Sequence, residues 1–297
     1  MIETILQHLT RIPLHVGWLA HQWRLGLHQS RQRGAGLEFD QLLEYQPGEA
    51  VRKINWAATA RRGGEIPFVN TYYEEKTLTV MLLVDMSASM DFGSVRLTKK
   101  QLTAEIAASL VFSALCGHDR IGMLGFAAEV VCYHPPRQWR AYQHAIPHSI
   151  LTGAADATAA SFASAVAALE RWMTRQALVF VLSDFITDDP LGLEQALMRL
   201  SHLHEVIALV VTDPLEVSFP AGATRLVARD LETGQVRSYR LTRRHQRQMA
   251  SREQSRRTQL HHVFQRLGMP YLTVTSQSNY AEELRHLLLT RHRRVCA

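Results

Sequence analysis

LTVMLLVDMSAS, residues 78–89, passes from an unbroken apolar run straight into an acidic, hydroxyl-rich turn. Leu78 to Val84 are all apolar or Thr, the composition of a strand buried on both faces of a parallel sheet. Asp85-Met86-Ser87-Ala88-Ser89 then sets oxygen-bearing side chains at alternate positions just past the strand's carboxyl end, where open α/β sheets bind ligands. One carboxylate and two hydroxyls suit a hard cation such as Mg²⁺ or Mn²⁺, which takes oxygen ligands and keeps several waters. The same residue types also make ordinary turns and helix N-caps, so the motif alone leaves both readings open.

Downstream, the pattern continues as strand, helix, strand, strand, helix, strand, helix, strand. A helix is expected over 97–116, with Leu102, Ile106, Leu110 and Leu115 facing inward. Adjacent strands follow at 119–126 and 129–133, then a helix after Pro135-Pro136 and an Ala-rich helix over 157–173. A second fully apolar strand, 177–182, closes in Ser183-Asp184. Helix 191–203 leads to a third buried strand, 206–211, ending in Thr212-Asp213-Pro214. Buried strands alternating with helices predict an α/β fold with a doubly wound, mostly parallel sheet. A hairpin around Glu232-Thr233-Gly234 precedes a long helix over 242–267, whose first half is polar almost all round and so reaches into solvent or towards a partner. A last strand (271–275) and helix (280–289) complete the chain.

Upstream, residues 1–76 differ in kind. Ile2, Ile5, Leu6 and Leu9 share one helical face before Pro13. Trp18 and Trp23 follow among basic residues, which leaves a peripheral membrane contact as an alternative to packing on the main domain. Strand-like segments 37–45 and 66–73 make a small β-rich appendage, with Trp56 expected to fill a local core. The predicted division is therefore 1–76 and 77–297, the latter carrying an insertion at about 215–268.

Composition narrows the function classes. The chain has 297 residues, 46% hydrophobic and 20% charged, with a formal net charge of +6. These values are those of a globular protein with a sizeable core and a bias towards anionic partners. Cys116, Cys132 and Cys296 are odd in number, widely spaced and outside any CxxC pattern, which predicts a reducing compartment and no disulfide framework. Cys116 and Cys132 are expected as packed thiols, and His202 and His204 as exposed residues at a helix end. No signal-peptide pattern and no spanning apolar run is read, so a cytoplasmic location is expected.

Two buried strands thus end in acids, and in a doubly wound sheet such ends can converge on one crevice. In this respect the chain resembles the von Willebrand factor A fold, whose metal-ion-dependent adhesion site has the pattern DxSxS, then a Thr, then an Asp. Asp85, Ser87 and Ser89 match the first part and Asp184, in VFVLSDF, the last. The upstream residues Gly36, Glu38, Phe39, Tyr45, Pro47, Gly48, Arg52, Ile54, Trp56, Ala60 and Arg61 are similar to the signature of a bacterial family catalogued as domain of unknown function 58, and DLETG at 230–234 resembles its C-terminal half. The resemblance covers the chain from about Gly34 onward. It implies a metal set of Asp85, Ser87, Ser89 and Asp184, but the Thr position falls in LTGAADAT, residues 151–158, where Asp156 or Ala155 stands by register and Thr152 and Thr158 lie nearby. Many family members carry N-terminal membrane helices, which this sequence does not show.

The function the resemblance implies is adhesion rather than catalysis. A cation under-neutralised by hydroxyl ligands binds an Asp or Glu of a partner, and the implied partners are a MoxR-type AAA+ ATPase and a client protein in chaperone-like maturation or assembly. Arg243, Arg244 and Arg247 on the polar helix are the candidate partner-binding residues. A metal-dependent hydrolase is the enzyme alternative, but DMSASM lacks the second Asp of an aspartyl-phosphate motif and no His closely follows either strand. Nucleic-acid binding by the Arg-rich stretch is the other alternative; the near absence of interleaved aromatics argues against it.

Overall fold

The computed structural model describes residues 38–46, 51–63, 66–73, 77–94, 97–153, 160–217, 225–229, 236–240 and 242–295. The expected helix over 1–12, Trp18 and Trp23, the hairpin turn at 232–234 and Asp156 lie outside the described residues. Two compact units emerge, one within Trp23–Thr77 and the other from Leu78 onward.

In the first unit, β1 (Glu38–Glu44) and β2 (Phe68–Tyr73) pair antiparallel, with a register shift between Phe39 and Gln41. A short helix, α1 (Trp56–Arg61), begins at Asn55, whose side chain accepts from the Ala58 N–H at 3.0 Å. The buried residue of this helix is Thr59: its hydroxyl donates to the Asn55 carbonyl and accepts from the Phe68 N–H. Trp56, expected as a core plug, is instead 64% exposed. It opens the helix, one turn from the Thr59 face that packs on β2.

The second unit is a six-stranded sheet of order β10-β7-β6-β3-β4-β5. Its strands are β3 (Thr79–Asp85), β4 (Arg120–Phe126), β5 (Val130–Arg137), β6 (Leu178–Ser183), β7 (Glu205–Val211) and β10 (Tyr271–Val274). All neighbouring pairs are parallel except β4 with β5. The chain winds outward from β3 to β4 and β5, then returns to lay β6, β7 and β10 on the other side. The winding direction thus reverses between β3 and β6, and a crevice opens at the carboxyl ends of those two strands. A smaller antiparallel pair, β8 (Arg225–Arg229) and β9 (Val236–Arg240), forms the predicted hairpin. The expectation of a von Willebrand A-like, mostly parallel α/β sheet with a small antiparallel N-terminal sheet is met.

Helices cover both faces. On one face, Met81 and Leu83 of β3 and Val179 and Val181 of β6 pack with α4 (Phe162–Trp172), α5 (Pro190–Leu203) and Phe264 of α7 (Arg243–Arg266). Side chains alternate along a strand, so Leu82 and Val84 point to the opposite face. There α2 (Lys99–Cys116) lies against β3, β4 and β7, beside α3 (Tyr142–Thr152). The start of α2 is fixed by a reciprocal cap: Thr98 accepts from the Gln101 N–H, and the Gln101 side chain accepts from the Thr98 N–H. Asp189 caps α5 ahead of Pro190 in the same spirit, accepting from the Gly192 N–H at 2.9 Å. A short helix, α6 (Pro214–Val217), follows β7, and α8 (Tyr280–Val295) ends the described chain.

Several boundaries moved for identifiable reasons. β5 runs through Pro135 and Pro136 instead of ending at Tyr133, because an edge strand tolerates residues that lack an N–H. α4 starts at Phe162, where Ser161 accepts from the Ser164 N–H and sets the cap. His204, expected to be exposed, is buried where the chain turns from α5 into β7, and burial pushes its pKa down. Cys116 is exposed at the end of α2 rather than packed, whereas Cys132 is half-buried with its thiol 3.8 Å from the Met86 sulfur. Among the described residues no helix is long and apolar enough to cross a membrane.

Candidate functional site

The crevice between β3 and β6 is where the sequence motif falls. Asp85 is the last residue of β3 and Ser183 the last of β6. The Ser183 hydroxyl donates to Asp85 Oδ2 at 2.5 Å, so the two strand ends are tied directly. Asp85 Oδ1 accepts from the Ser87 N–H at 2.9 Å, which curls the loop back over the strand. Ser87 Oγ and Ser89 Oγ then lie 3.0 Å apart, the latter at the start of a single 3₁₀ turn, Ala88–Asp91. Asp85 and Ser87 are buried, and Ser89 is half-buried at the mouth of the crevice.

Asp184, fully buried, follows Ser183 directly. Its Oδ1 accepts from the Ile186 N–H at 3.0 Å, and its Oδ2 accepts from Lys99 Nζ at 2.6 Å. The backbone that carries it is unusual: Phe185 sits at φ +54°, a left-handed conformation that costs a β-carbon-bearing residue of order 1–3 kcal/mol. Its surroundings hold it there. The Phe185 N–H donates to Ser183 Oγ, its ring stacks on Phe162, and it meets the Phe264 edge at 5.4 Å. The Asp184 carbonyl accepts from Arg256 Nη1 at 2.9 Å, linking the loop to α7.

Met86 fixes the loop from beneath. A β-carbon at Gly125 of β4 would collide with the sulfurs of Met86 and Cys132, and one at Gly153 would collide with the Met86 methyl. At Gly153 a β-carbon would also meet the Ser149 carbonyl, so that glycine is required by close approach, whereas at Gly125 the Met86 and Cys132 side chains would have to shift. Gly125→Ala is expected to destabilise the protein by about 1–3 kcal/mol, the usual range for overpacking, and to displace the Asp85–Ser89 loop. Urea denaturation measures the first effect; unchanged stability would mean that Met86 repacks freely.

The electrostatics set the two acids apart. Burial, and after it the charge of Asp184, push the Asp85 carboxyl up from 3.8 to about 6, although hydrogen bonds from Ser183 and Ser87 favour its ionised form. At Lys99 burial works against the ammonium, but Asp184 and Glu216 outweigh it and raise the pKa. The Asp85 shift makes the folded, cation-free chain hold a proton that the unfolded chain has released between about pH 4 and 6. Stability in chelator should therefore fall as pH rises through that window, by on the order of 3 kcal/mol for a shift of about two units. Asp85→Asn should flatten the profile. Urea titrations in EDTA from pH 4 to 7 check this, and parallel slopes for the two proteins would contradict it.

Of the residues read from the sequence, Asp85, Ser87, Ser89 and Asp184 come together at the crevice. Asp156 lies outside the described residues, although Gly153, where its loop begins, faces Met86 and accepts from Lys100 Nζ at 2.7 Å. Arg244 and Arg247 are exposed on α7; the side chain of Arg243 is not described. Sequence reasoning missed Lys99, Ser183, Glu216, Asp213 and Arg256. Lys99 Nζ also reaches Glu216 Oε1 at 2.6 Å, and Asp213 accepts from the Ser94 N–H and from the Leu215 N–H. Arg256 is clamped by Glu253 through two hydrogen bonds of 2.9 Å. Among the described residues no cluster of three or more His, Cys, Asp or Glu side chains is placed to hold an ion. The donors on offer are thus carboxylate and hydroxyl oxygens, a set that fits a hard divalent cation and not a soft one.

A mostly parallel sheet with one antiparallel edge strand, and an acid-and-hydroxyl crevice where its winding reverses, defines a von Willebrand A-like domain. Within that class the chain belongs to the family described as protein of unknown function DUF58, whose pattern matches residues 41–259. It is 29% identical over 274 residues to uncharacterized proteins of Mycobacterium tuberculosis and Mycobacterium bovis, spanning 92% of this chain and 85% of theirs. Among solved structures it is similar to the conserved hypothetical protein BatB from Bacteroides thetaiotaomicron, with 16% identity and a TM-score of 0.47 over 73% of this chain and 99% of that one. It is also similar to the SpRpn10 VWA domain, with 10% identity and a TM-score of 0.37 over 73% and 95% of the two chains.

Proposed function

We propose that this protein is a non-enzymatic, cytoplasmic adaptor that binds an acidic residue of a partner through a divalent cation, Mg²⁺ or Mn²⁺. The observation that carries the reading is the placement of Asp85 and Asp184 at the ends of adjacent strands tied by the Ser183–Asp85 hydrogen bond, with the Ser87 and Ser89 hydroxyls 3.0 Å apart beside them. Asp85, Ser87 and Ser89 would hold the ion, with Asp184 behind them and Asp156 as the candidate from the neighbouring loop. The bound ion supplies a Lewis-acidic point that attracts a carboxylate. The chain's own residues do the rest: Ser183 orients Asp85, Met86 fixes the loop, and the aromatic cluster around Phe185 keeps Asp184 in place.

The resemblance to family members that act beside MoxR-type AAA+ ATPases supports such an ATPase as the partner, with a client protein matured or assembled by the pair. The N-terminal half of α7, exposed through Arg244, Arg247 and Arg252, offers a second, basic contact for an acidic partner surface. Arg256 donates to the Asp184 carbonyl, so a hydrogen bond ties that helix to the loop that carries Asp184. The test is capture of the MoxR-type ATPase by the full chain in Mg²⁺ and in EDTA. Mg²⁺-dependent capture supports the reading; equal capture in both buffers would contradict it.

A further inference from the structure

The cation reading leaves one charge unexplained. Lys99 is the first residue of α2, where the helix dipole disfavours a positive side chain. It is nevertheless buried, 2% exposed, with its ammonium between Asp184 Oδ2 and Glu216 Oε1 at 2.6 Å each. Desolvating an ammonium at a helix N-terminus is unfavourable on both counts, so only the two acids account for its position. With Lys99 and the Ile186 N–H in place, both carboxylate oxygens of Asp184 already have partners. Asp85 differs: its oxygens accept from the Ser87 N–H and from the Ser183 and Ser87 hydroxyls, all neutral donors, and among the described residues no basic side chain forms an ion pair with it.

We propose that Lys99 is a built-in counter-ion of the adhesion site, an ammonium that neutralises Asp184 so that the protein folds without a divalent ion and any such ion competes with it. The inference rests on the cation reading above and adds its regulation. Two consequences follow from the charges. A divalent ion entering beside Asp85, Ser87 and Ser89 meets one uncompensated carboxylate and a nearby ammonium, so its affinity is weak when no partner is bound. The positive charge left on the ion is correspondingly larger, so a partner carboxylate and the ion strengthen each other's binding, and Lys99 suppresses occupancy in the absence of partner.

The test is Mn²⁺ binding to the full chain, followed by loss of the free-ion electron paramagnetic resonance signal, together with melting temperatures in EDTA and in Mn²⁺. Wild type is compared with Lys99→Met, which removes the charge and the donor, and with Lys99→Gln, which keeps an N–H donor for Asp184. Wild type should bind Mn²⁺ weakly and melt at nearly the same temperature in EDTA and in 1 mM Mn²⁺ (about 1 °C apart at most, since a ligand well below its Kd adds little stability). Both variants should bind Mn²⁺ at least tenfold more tightly. They should lose stability in EDTA and regain it in Mn²⁺; variants that fold only with Mn²⁺ support the proposal equally. Variants that bind no more tightly than wild type, variants unfolded in both buffers, or a wild type that loses several degrees in EDTA would overturn it. Absence of Mn²⁺ binding by wild type and variants alike would overturn the cation reading as well.

Discussion

Asp184→Ala is expected to lower the stability of the protein by about 3 kcal/mol in urea denaturation, the low end of the range for breaking a buried ion pair. The change strands the Lys99 ammonium in a site 2% exposed, with Glu216 as its remaining acid. It also frees the Ile186 N–H and leaves Phe185 in its left-handed conformation with one constraint fewer. The neighbouring acid behaves in the opposite way. Asp85→Asn removes a charge that burial and Asp184 already disfavour, and should leave stability at pH 7 unchanged or higher in chelator. Two acids at the ends of adjacent strands thus give stability changes of opposite sign. Equal losses for both variants would mean that the ion pair to Lys99 is not what distinguishes them.

Asp85→Ala has its large effect on binding. If the ion is held mainly by Asp85, Ser87 and Ser89, removing the carboxylate takes away its one uncompensated negative ligand. The loss expected for a truncated, desolvated charge contact is about 2–5 kcal/mol, or roughly thirtyfold and more in affinity. Mg²⁺-dependent capture of the ATPase should then fall to the level seen in EDTA, with circular dichroism and melting behaviour preserved. Mutant capture that still responds to Mg²⁺ would place the ion elsewhere.

The fold was largely legible because its buried strands are short apolar runs ending in acids. Leu78–Val84 and Ala177–Leu182 each announce a strand covered on both sides, and helical patterns between such strands leave few arrangements. Asp85, Ser87 and Ser89 were legible for the same reason that short motifs are: neighbouring positions in one loop record local geometry. Asp184 was visible from its place at a strand end. Lys99 was not, because its partners lie 85 and 117 residues away and nothing local marks the contact. One clue existed: it is among only four lysines, at a helix start where a cation is disfavoured. Trp56 does not fill a core because the helix turns its Thr59 face inward, and nothing in the local sequence marks which face that is. The prolines of β5 misled in a similar way, being breakers in a central strand but tolerated on an edge.

The most direct measurement is diffraction from crystals soaked in millimolar Mn²⁺, with data collected for the anomalous signal of manganese. In Lys99→Met crystals a peak is expected in the crevice between the ends of β3 and β6, within coordination distance of Asp85, Ser87 and Ser89, and wild-type crystals should show it only faintly, since millimolar Mn²⁺ lies below the wild-type Kd. Ordered Ser87 and Ser89 side chains with no anomalous peak beside them in either protein would contradict the cation reading.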